Sequence, residues 1–348
     1  MLETNYKDIF KIDKKKLDQI DEEIFSLLEF WKSNKKEIKV STSGSTGNPK
    51  KIKISRQQLI NSAKATLKYF EIKENSTFLN CLPVKYIGGK MMIIRALIGK
   101  TNIILCKPSV IPFNKLLKEI DFIALTPLQL DGLLKNEKIF SKIRLAIIGG
   151  GTISERHIEQ LKDVSTDCYQ TYGMTETVSH IAVRNLKNYS ENKSYKCLKN
   201  NTVTTNSNNQ LIVNSKNLYI SSLTTNDIAQ ITGNDEFIIK GRVGSIINSG
   251  GFKVSIESIE KMLSKSLKKR LFFIDHIKCD KLGEKIILIV DKRINLEEIT
   301  SSINKIMDHK KRPKEIYYTP NFYYNENQKI DRLKTKKNAI QLGILYKL

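Results

Sequence analysis

Between residues 77 and 171 the chain alternates short apolar runs with stretches of helical character. The runs are "TFLNC" (77–81), "NIILC" (102–106), "DFIAL" (121–125), "RLAII" (144–148) and "DCYQT" (167–171), with plausible helices near 89–98, 127–135 and 154–162. Strand–helix alternation of this kind predicts a layered α/β domain with parallel strands. In such sheets ligands sit beyond the carboxyl ends of the strands. Those ends carry Gly and Thr clusters, "GGGT" after Ile148 and "YGMTET" after Thr171. Their positions suggest one shared site.

The rest of the chain fits around this domain. Leu17, Ile20, Ile24, Leu27, Leu28 and Trp31 fall on one helical stripe, which predicts a single helix over 14–32. "KIKI" (51–54) alternates like a strand, and Ser55 with Gln58 forms a capping box for a helix from Arg56 to about Phe70. Residues 186–210 are polar and Asn-rich and read as loop; "QLIV", "NLYI" and "EFIIK" then read as short strands. After Arg242 a turn-rich "NSGGFKV" leads into helices near 256–267 and 296–308, strands "LFFIDHI" and "KIILIVD", and a basic helix after Ile330. Residues 243–348 are long enough for an independent small α+β domain. The expected division is therefore 1–242 and 243–348.

Composition limits the function classes. The 59 basic and 36 acidic side chains give a net charge of +23, a balance open to nucleic acid, an anionic membrane or anionic small substrates. The lysines are scattered from end to end without an arginine-rich tail, which favours compositional bias over nucleic-acid binding. The five cysteines are far apart with no C-x-x-C pair, against zinc and disulfides. The N-terminus has charges where a signal peptide needs an apolar core, and no apolar run approaches the ~18 residues of a membrane span. A cytoplasmic location without membrane insertion is expected; oligomeric state is left open.

The chemistry-bearing stretches follow in order. "STSGSTGNPK" (41–50) offers backbone N–H groups, hydroxyls and Lys50 to an anion, although its spacing is not that of a Walker loop and a surface linker is the bland alternative. "TYGMTET" puts Thr175, a phosphate-binding hydroxyl, beside Glu176, a carboxylate suited to Mg²⁺. "LTTNDIAQ" supplies Asp227, suited to two ribose hydroxyls; "KGRV" supplies Arg242 and "NENQKIDR" Lys329. Each alone is weak, since exposed charge is the commoner reason for such residues.

Together and in this order, they resemble the acyl-adenylate-forming (AMP-binding) superfamily over about Lys39 to Lys334. "STSGSTGNPK" looks like its phosphate loop, "YGMTET" like its Tyr-Gly-x-Thr-Glu motif, "TTND" like its Thr-Gly-Asp, "GRVGSIINSGGFKVSIESIE" like its hinge and "NQKIDR" like its terminal Gly-Lys-x-x-Arg. "LPVKYIGGKMMIIRAL" with "YGMTETVSHIAVR" is most similar to the o-succinylbenzoate–CoA ligases of menaquinone synthesis, particularly short forms.

The resemblance implies a large adenylation domain with mixed sheets flanked by helices, shortened at its N-terminus, and a small mobile C-terminal domain. It implies ATP, CoA and Mg²⁺ as cofactors and a small carboxylic acid as substrate, activated as acyl-AMP and then passed to CoA. Thr42, Ser43, Gly44, Ser45, Thr46, Gly47 and Lys50 would hold the β- and γ-phosphates, Thr175 the α-phosphate, Glu176 the metal, and Asp227 with Arg242 the ribose. Gly149, Gly150 and Gly151 would lie along adenine and the acyl group, with Tyr172 stacked on adenine beside Gly173. Lys329 would bridge carboxylate and α-phosphate. Lys85, Tyr86, Lys90, Arg95 and His180 are candidates for the acyl pocket, and His180 could equally be a core histidine. Gly244 would be the hinge; Gly250, Gly251 and Lys253 would approach CoA.

Four departures from the family pattern stand out: a phosphate loop beginning at residue 41, Gln328 and Asn226 where glycine is expected, and Gly244 at the hinge. The rival readings are a ligase for another fatty or aryl acid, a non-catalytic relative and a basic nucleic-acid-binding protein.

Overall fold

The computed structural model describes residues 1–41, 51–111, 113, 118–189, 191–243, 245–267, 271–291, 295–324 and 330–348. The phosphate loop 42–50, Gly244, Gln328 and Lys329 lie outside the described residues.

The described residues form two compact units, one over 1–41, 51–225 and 230–238, the other over 226–229 and 239–348. In the first, five parallel strands run in the order Asn102–Leu105, Thr77–Asn80, Ile120–Leu125, Ile143–Ile148, Asp167–Gly173. All five sequence-predicted runs are strands within a residue or two. Leu2–Asn5 adds antiparallel at one edge, and His180–Asn185 pairs antiparallel with Asp167–Gly173 at the other end of the parallel set, where the sheet continues. The sheet is mixed, as the family resemblance implies. Helices Ile87–Gly99, Pro127–Leu134 and Glu155–Leu161 supply crossovers. Thr126 and Ser154 cap the last two with reciprocal capping boxes. Leu130, Leu133 and Leu161 bury their side chains against Ile123, Ala146 and Ile148 of the sheet. Each fully buried Leu or Ile contributes roughly 1.5–3 kcal/mol.

Three expectations are corrected. The helix over 14–32 is two helices, Lys14–Asp18 and Glu23–Lys32. Asp21 makes the break: one carboxylate oxygen accepts the Glu23 N–H at 3.0 Å and the other the Val84 N–H at 2.7 Å, a local bond that competes with helix continuation. The Asn-rich 186–210 stretch contains strands Tyr195–Cys197 and Asn201–Thr205. "NLYI" is mostly turn, with its strand beginning at Ile220.

In the second unit the strand order is Phe252–Ser255, Ile246–Ser249, Gly283–Asp291, Glu315–Thr319, Ile344–Lys347, and Phe272–Cys279 pairs along Gly283–Asp291. Helices Ile256–Ser266 and Leu296–Ile306 bury Ile259, Leu263, Ile299 and Ile303 with Leu288 and Ile274. Helix Arg332–Leu342 adds Ala339 to a separate cluster with Ile287, Ile289 and Tyr317. Among the described residues no helix is long and apolar enough to cross a membrane.

Candidate active site

Parallel pairing of Ile143–Ile148 with Asp167–Gly173 brings the two Gly/Thr clusters together at one sheet end. The Thr171 hydroxyl donates to the Ile148 carbonyl at 3.2 Å, and the Gly149 N–H donates to Leu125 O at 3.0 Å. Gly150 and Gly151 are exposed there. Gly173 stands where the strand meets its antiparallel neighbour: a Cβ would lie 2.2 Å from Ser179 O and 2.5 Å from His180 Cα, so the approach requires glycine. The Tyr172 ring is buried edge-on to Phe237, 5.1 Å between centroids, and near Tyr195.

A short 3₁₀ helix, Thr175–Thr177, presents Glu176 to solvent with Thr175 half-buried beside it. The chain then makes a γ-turn. Val178 has φ 66° and ψ −51°, and the Ser179 N–H closes onto Thr177 O at 2.6 Å. This hand of γ-turn is rare, and a β-branched residue at positive φ is strained by about 1–3 kcal/mol. The turn is held because Thr177 Oγ1 accepts the Met174 N–H at 2.9 Å and lies 2.8 Å from Ser179 O.

That turn aims Ser179 and His180 at Arg95. Arg95 is 1% exposed; its Nε donates to Thr66 Oγ1 at 3.2 Å and one terminal nitrogen to Ser179 Oγ at 2.6 Å. His180 lies between the same hydroxyls, Nε2 3.2 Å from Thr66 Oγ1 and Nδ1 3.4 Å from Ser179 Oγ. The Thr66 hydroxyl has Ser62 O to donate to at 3.2 Å, which assigns His180 as the neutral Nε2–H tautomer. Burial, and then the Arg95 charge, hold the His180 pKa well below its ordinary value. Burial alone pushes Arg95 down to about 9, and among the described residues no carboxylate pairs with it. A polar recess bounded by Asn61, Ser62, Asn201 and Leu218 opens beside His180. In it the buried Asn201 Oδ1 has no hydrogen-bond partner among the described residues.

The other pocket candidates differ. Lys90, on the same helix as Arg95 and 4% exposed, turns its ammonium to Glu23 at 3.5 Å. Burial lowers its pKa, opposed by Glu23. Lys85 is exposed, 5.9 Å from the ring of half-buried Tyr86.

In the second unit, Arg242 Nε meets the buried Asp227 carboxylate at 2.7 Å, and the Val243 N–H donates to Asn226 O at 2.7 Å. Gly250 and Gly251 form the tip of the hairpin Ile246–Ser249/Phe252–Ser255. The side chain of Lys253 lies outside what is described.

The residues that complete this constellation, Thr66, Ser179, Asn201 and Glu23, are not among the sequence candidates. Thr66 had one signal: it follows Ser62 by four residues on the buried stripe of helix Arg56–Tyr69, where apolar side chains are the rule.

The fold has counterparts among known proteins. Residues 41–205 match the AMP-binding enzyme family. The fold of the whole chain is that of AMP-binding enzyme structures. An acyl-CoA synthetase (AMP-forming)/AMP-acid ligase II-like protein from Dyadobacter fermentans superposes with a TM-score of 0.65 at 27% identity, over 97% of this chain and 99% of that one. An o-succinylbenzoate CoA synthetase from Bacillus subtilis, in complex with the acyl-adenylate intermediate, gives a TM-score of 0.74 at 20% identity, over 97% of this chain and 77% of that one. Among curated sequences, a 2-succinylbenzoate–CoA ligase of Bacillus cytotoxicus is 28% identical over 148 residues, 41% of this chain. The match spans 31% of that relative's length, and 41% of the corresponding Lactococcus lactis ligase.

Proposed function

We propose that the chain is an AMP-forming acid–thiol ligase that activates o-succinylbenzoate as acyl-AMP, releases pyrophosphate and passes the acyl group to CoA. The observation that carries this reading is Arg95: a desolvated guanidinium held by hydroxyls and facing no carboxylate among the described residues. A buried cation is stable when an anion meets it. A substrate with two carboxylates has one to react and one to offer. The names of the matched relatives favour the same acid.

In this reading the substrate carboxylate attacks the α-phosphorus of ATP. Catalysis is then mainly positioning and neutralisation of charge on the phosphoryl oxygens. Thr175 would donate to the α-phosphate. Exposed Glu176 beside it fits a Mg²⁺ held by one carboxylate and nucleotide phosphates, and the ion, when bound, neutralises phosphate charge. Asp227 and Arg242 would take the ribose hydroxyls, and residues 42–50 the outer phosphates. Lys329 would bridge the two reacting groups, and a compact ammonium suits that position. Rotation of the second unit about 242–244 would then withdraw Lys329 and present the Gly250–Gly251 turn to CoA. A cytoplasmic setting, where ATP and CoA are available, fits cysteines that are all free.

A panel of carboxylic acids, assayed for ATP-dependent pyrophosphate release with and without CoA, tests the substrate. Turnover with fatty or other aryl acids and silence with o-succinylbenzoate would replace this acid by another. Lys329→Ala should abolish adenylate formation and spare thioester formation from supplied acyl-AMP; equal loss of both steps would remove that role.

A further inference from the structure

Away from the ATP-directed residues, the second unit carries a cluster of titratable groups against the back of the Gly250–Gly251 turn. The turn's consecutive φ values of 57° and 81° are those of a two-residue hairpin loop of the I′ kind, which glycine adopts without strain. A Cβ on Gly251 would meet nothing within 4 Å, so the tip is open, and Phe252 beside it is 44% exposed.

What fixes this open tip is a set of contacts from the neighbouring hairpin. The Gly250 N–H donates to Leu282 O at 2.9 Å, and Ser249 pairs with Gly283. Ladder pairing stops there, and a side chain takes over: Glu284 Oε2 accepts the Asn248 N–H at 2.6 Å. The other oxygen, Oε1, is 3.3 Å from His276 Nε2. His276 in turn has its buried Nδ1 3.6 Å from Asp275 Oδ1, too long for a hydrogen bond. Lys336 Nζ donates to Asp275 Oδ1 at 2.7 Å and to His276 O at 2.5 Å. The chain of contacts thus runs from helix Arg332–Leu342 through Asp275, His276 and Glu284 to one backbone amide of the turn.

We propose that Glu284, oriented by His276, is a positioning residue for thioester formation, holding the Asn248–Gly251 turn in the shape that receives the thiol arm of CoA. This rests on the ligase reading above. Glu284 touches neither ATP nor acid in that reading, so its removal leaves the first half-reaction intact.

The test uses the full chain, wild type, Glu284→Ala and Glu284→Gln, with o-succinylbenzoate and ATP for adenylate formation and preformed o-succinylbenzoyl-AMP with CoA for the second step. Glutamine keeps an oxygen for the Asn248 N–H, whereas alanine does not. Glu284→Ala should raise KM for CoA roughly 5- to 10-fold, the scale of one partly exposed charge-assisted hydrogen bond, with adenylate formation within about twofold of wild type. Glu284→Gln should restore most of the loss. An unchanged KM for CoA in Glu284→Ala, or equal loss of both half-reactions in both variants, overturns the proposal. Hydrogen exchange at residues 248–251 reads the strut independently of turnover: faster exchange in Glu284→Ala than in Glu284→Gln supports it, and equal exchange overturns it. A wild-type chain that makes no acyl-adenylate would instead defeat the ligase reading, leaving exchange to decide what Glu284 holds.

Discussion

Arg95 and Arg242 are both assigned to substrates in the proposed reaction, one to the acid and one to ATP, yet their surroundings are opposite. Arg95, in the first unit, is fully buried and, among the described residues, hydrogen-bonded to the hydroxyls of Thr66 and Ser179 with no carboxylate beside it. Arg242, in the second, is exposed and already bonded to Asp227 at 2.7 Å. Lys90 is intermediate, buried like the first and paired like the second. A cation with its own carboxylate can serve the fold without a ligand. One that burial has desolvated and no acid compensates destabilises the fold until an anion arrives. Burial combined with missing compensation among the described residues, rather than charge alone, is the reason for proposing Arg95 as the substrate's cation.

The contrast is sharpest for Arg95→Met, which keeps volume and removes charge. The acid's KM should rise about 100-fold, as a buried charge pair is lost, while the melting temperature holds or rises. A fall in melting temperature with unchanged KM would make Arg95 structural. Asp227→Asn should raise KM for ATP by roughly tenfold, one charge-assisted hydrogen bond, and change stability by less than about 1 kcal/mol because Arg242 is exposed. Lys90→Met should cost about 1 kcal/mol, since the half-exposed Glu23 left behind can rehydrate. Its effect on the acid's KM should stay within about threefold; a loss as large as that of Arg95→Met would return Lys90 to the substrate.

The smallest effect concerns pH. His180 stays neutral in the folded chain because its pKa is held well below 6.5. Below pH 6.5 the unfolded chain takes up a proton that the folded chain refuses, so stability is lost as pH falls from 6.5 toward the folded value. Between pH 7 and 5.5 this contributes about 1 kcal/mol of acid destabilisation. His180→Gln should flatten that part of the stability profile in chemical denaturation, and an unchanged slope would mean another group carries it.

The sequence made the parallel core legible because its strands are continuous apolar runs with helices between them. It hid elements whose pattern depends on distant partners. Leu2–Asn5 is polar at three of its four positions and becomes a strand by pairing with Asn102–Leu105; Asn201–Thr205 is mostly polar and is ordered by Gln210–Ser215. The helix break at Asp21 depends on an amide 63 residues away. At the site, motif residues were legible as chemistry, but their supports were not. Nothing in "YGMTETVSH" announces a γ-turn at Val178, because valine disfavours it and only the closed pattern of Thr177 and Ser179 bonds imposes it. Similarly, the sequence put Lys90 and Arg95 on equal footing, and only Glu23, distant in the chain, separates them.

Pyrophosphate release from ATP on addition of o-succinylbenzoate, followed first without CoA and then with it, tests the proposed activity most directly. The expected result is a burst of about one pyrophosphate per active chain, with acyl-AMP retained, converting to continuous turnover and thioester when CoA is added. Pyrophosphate release that is independent of any carboxylic acid, or absent with all of them, would contradict it.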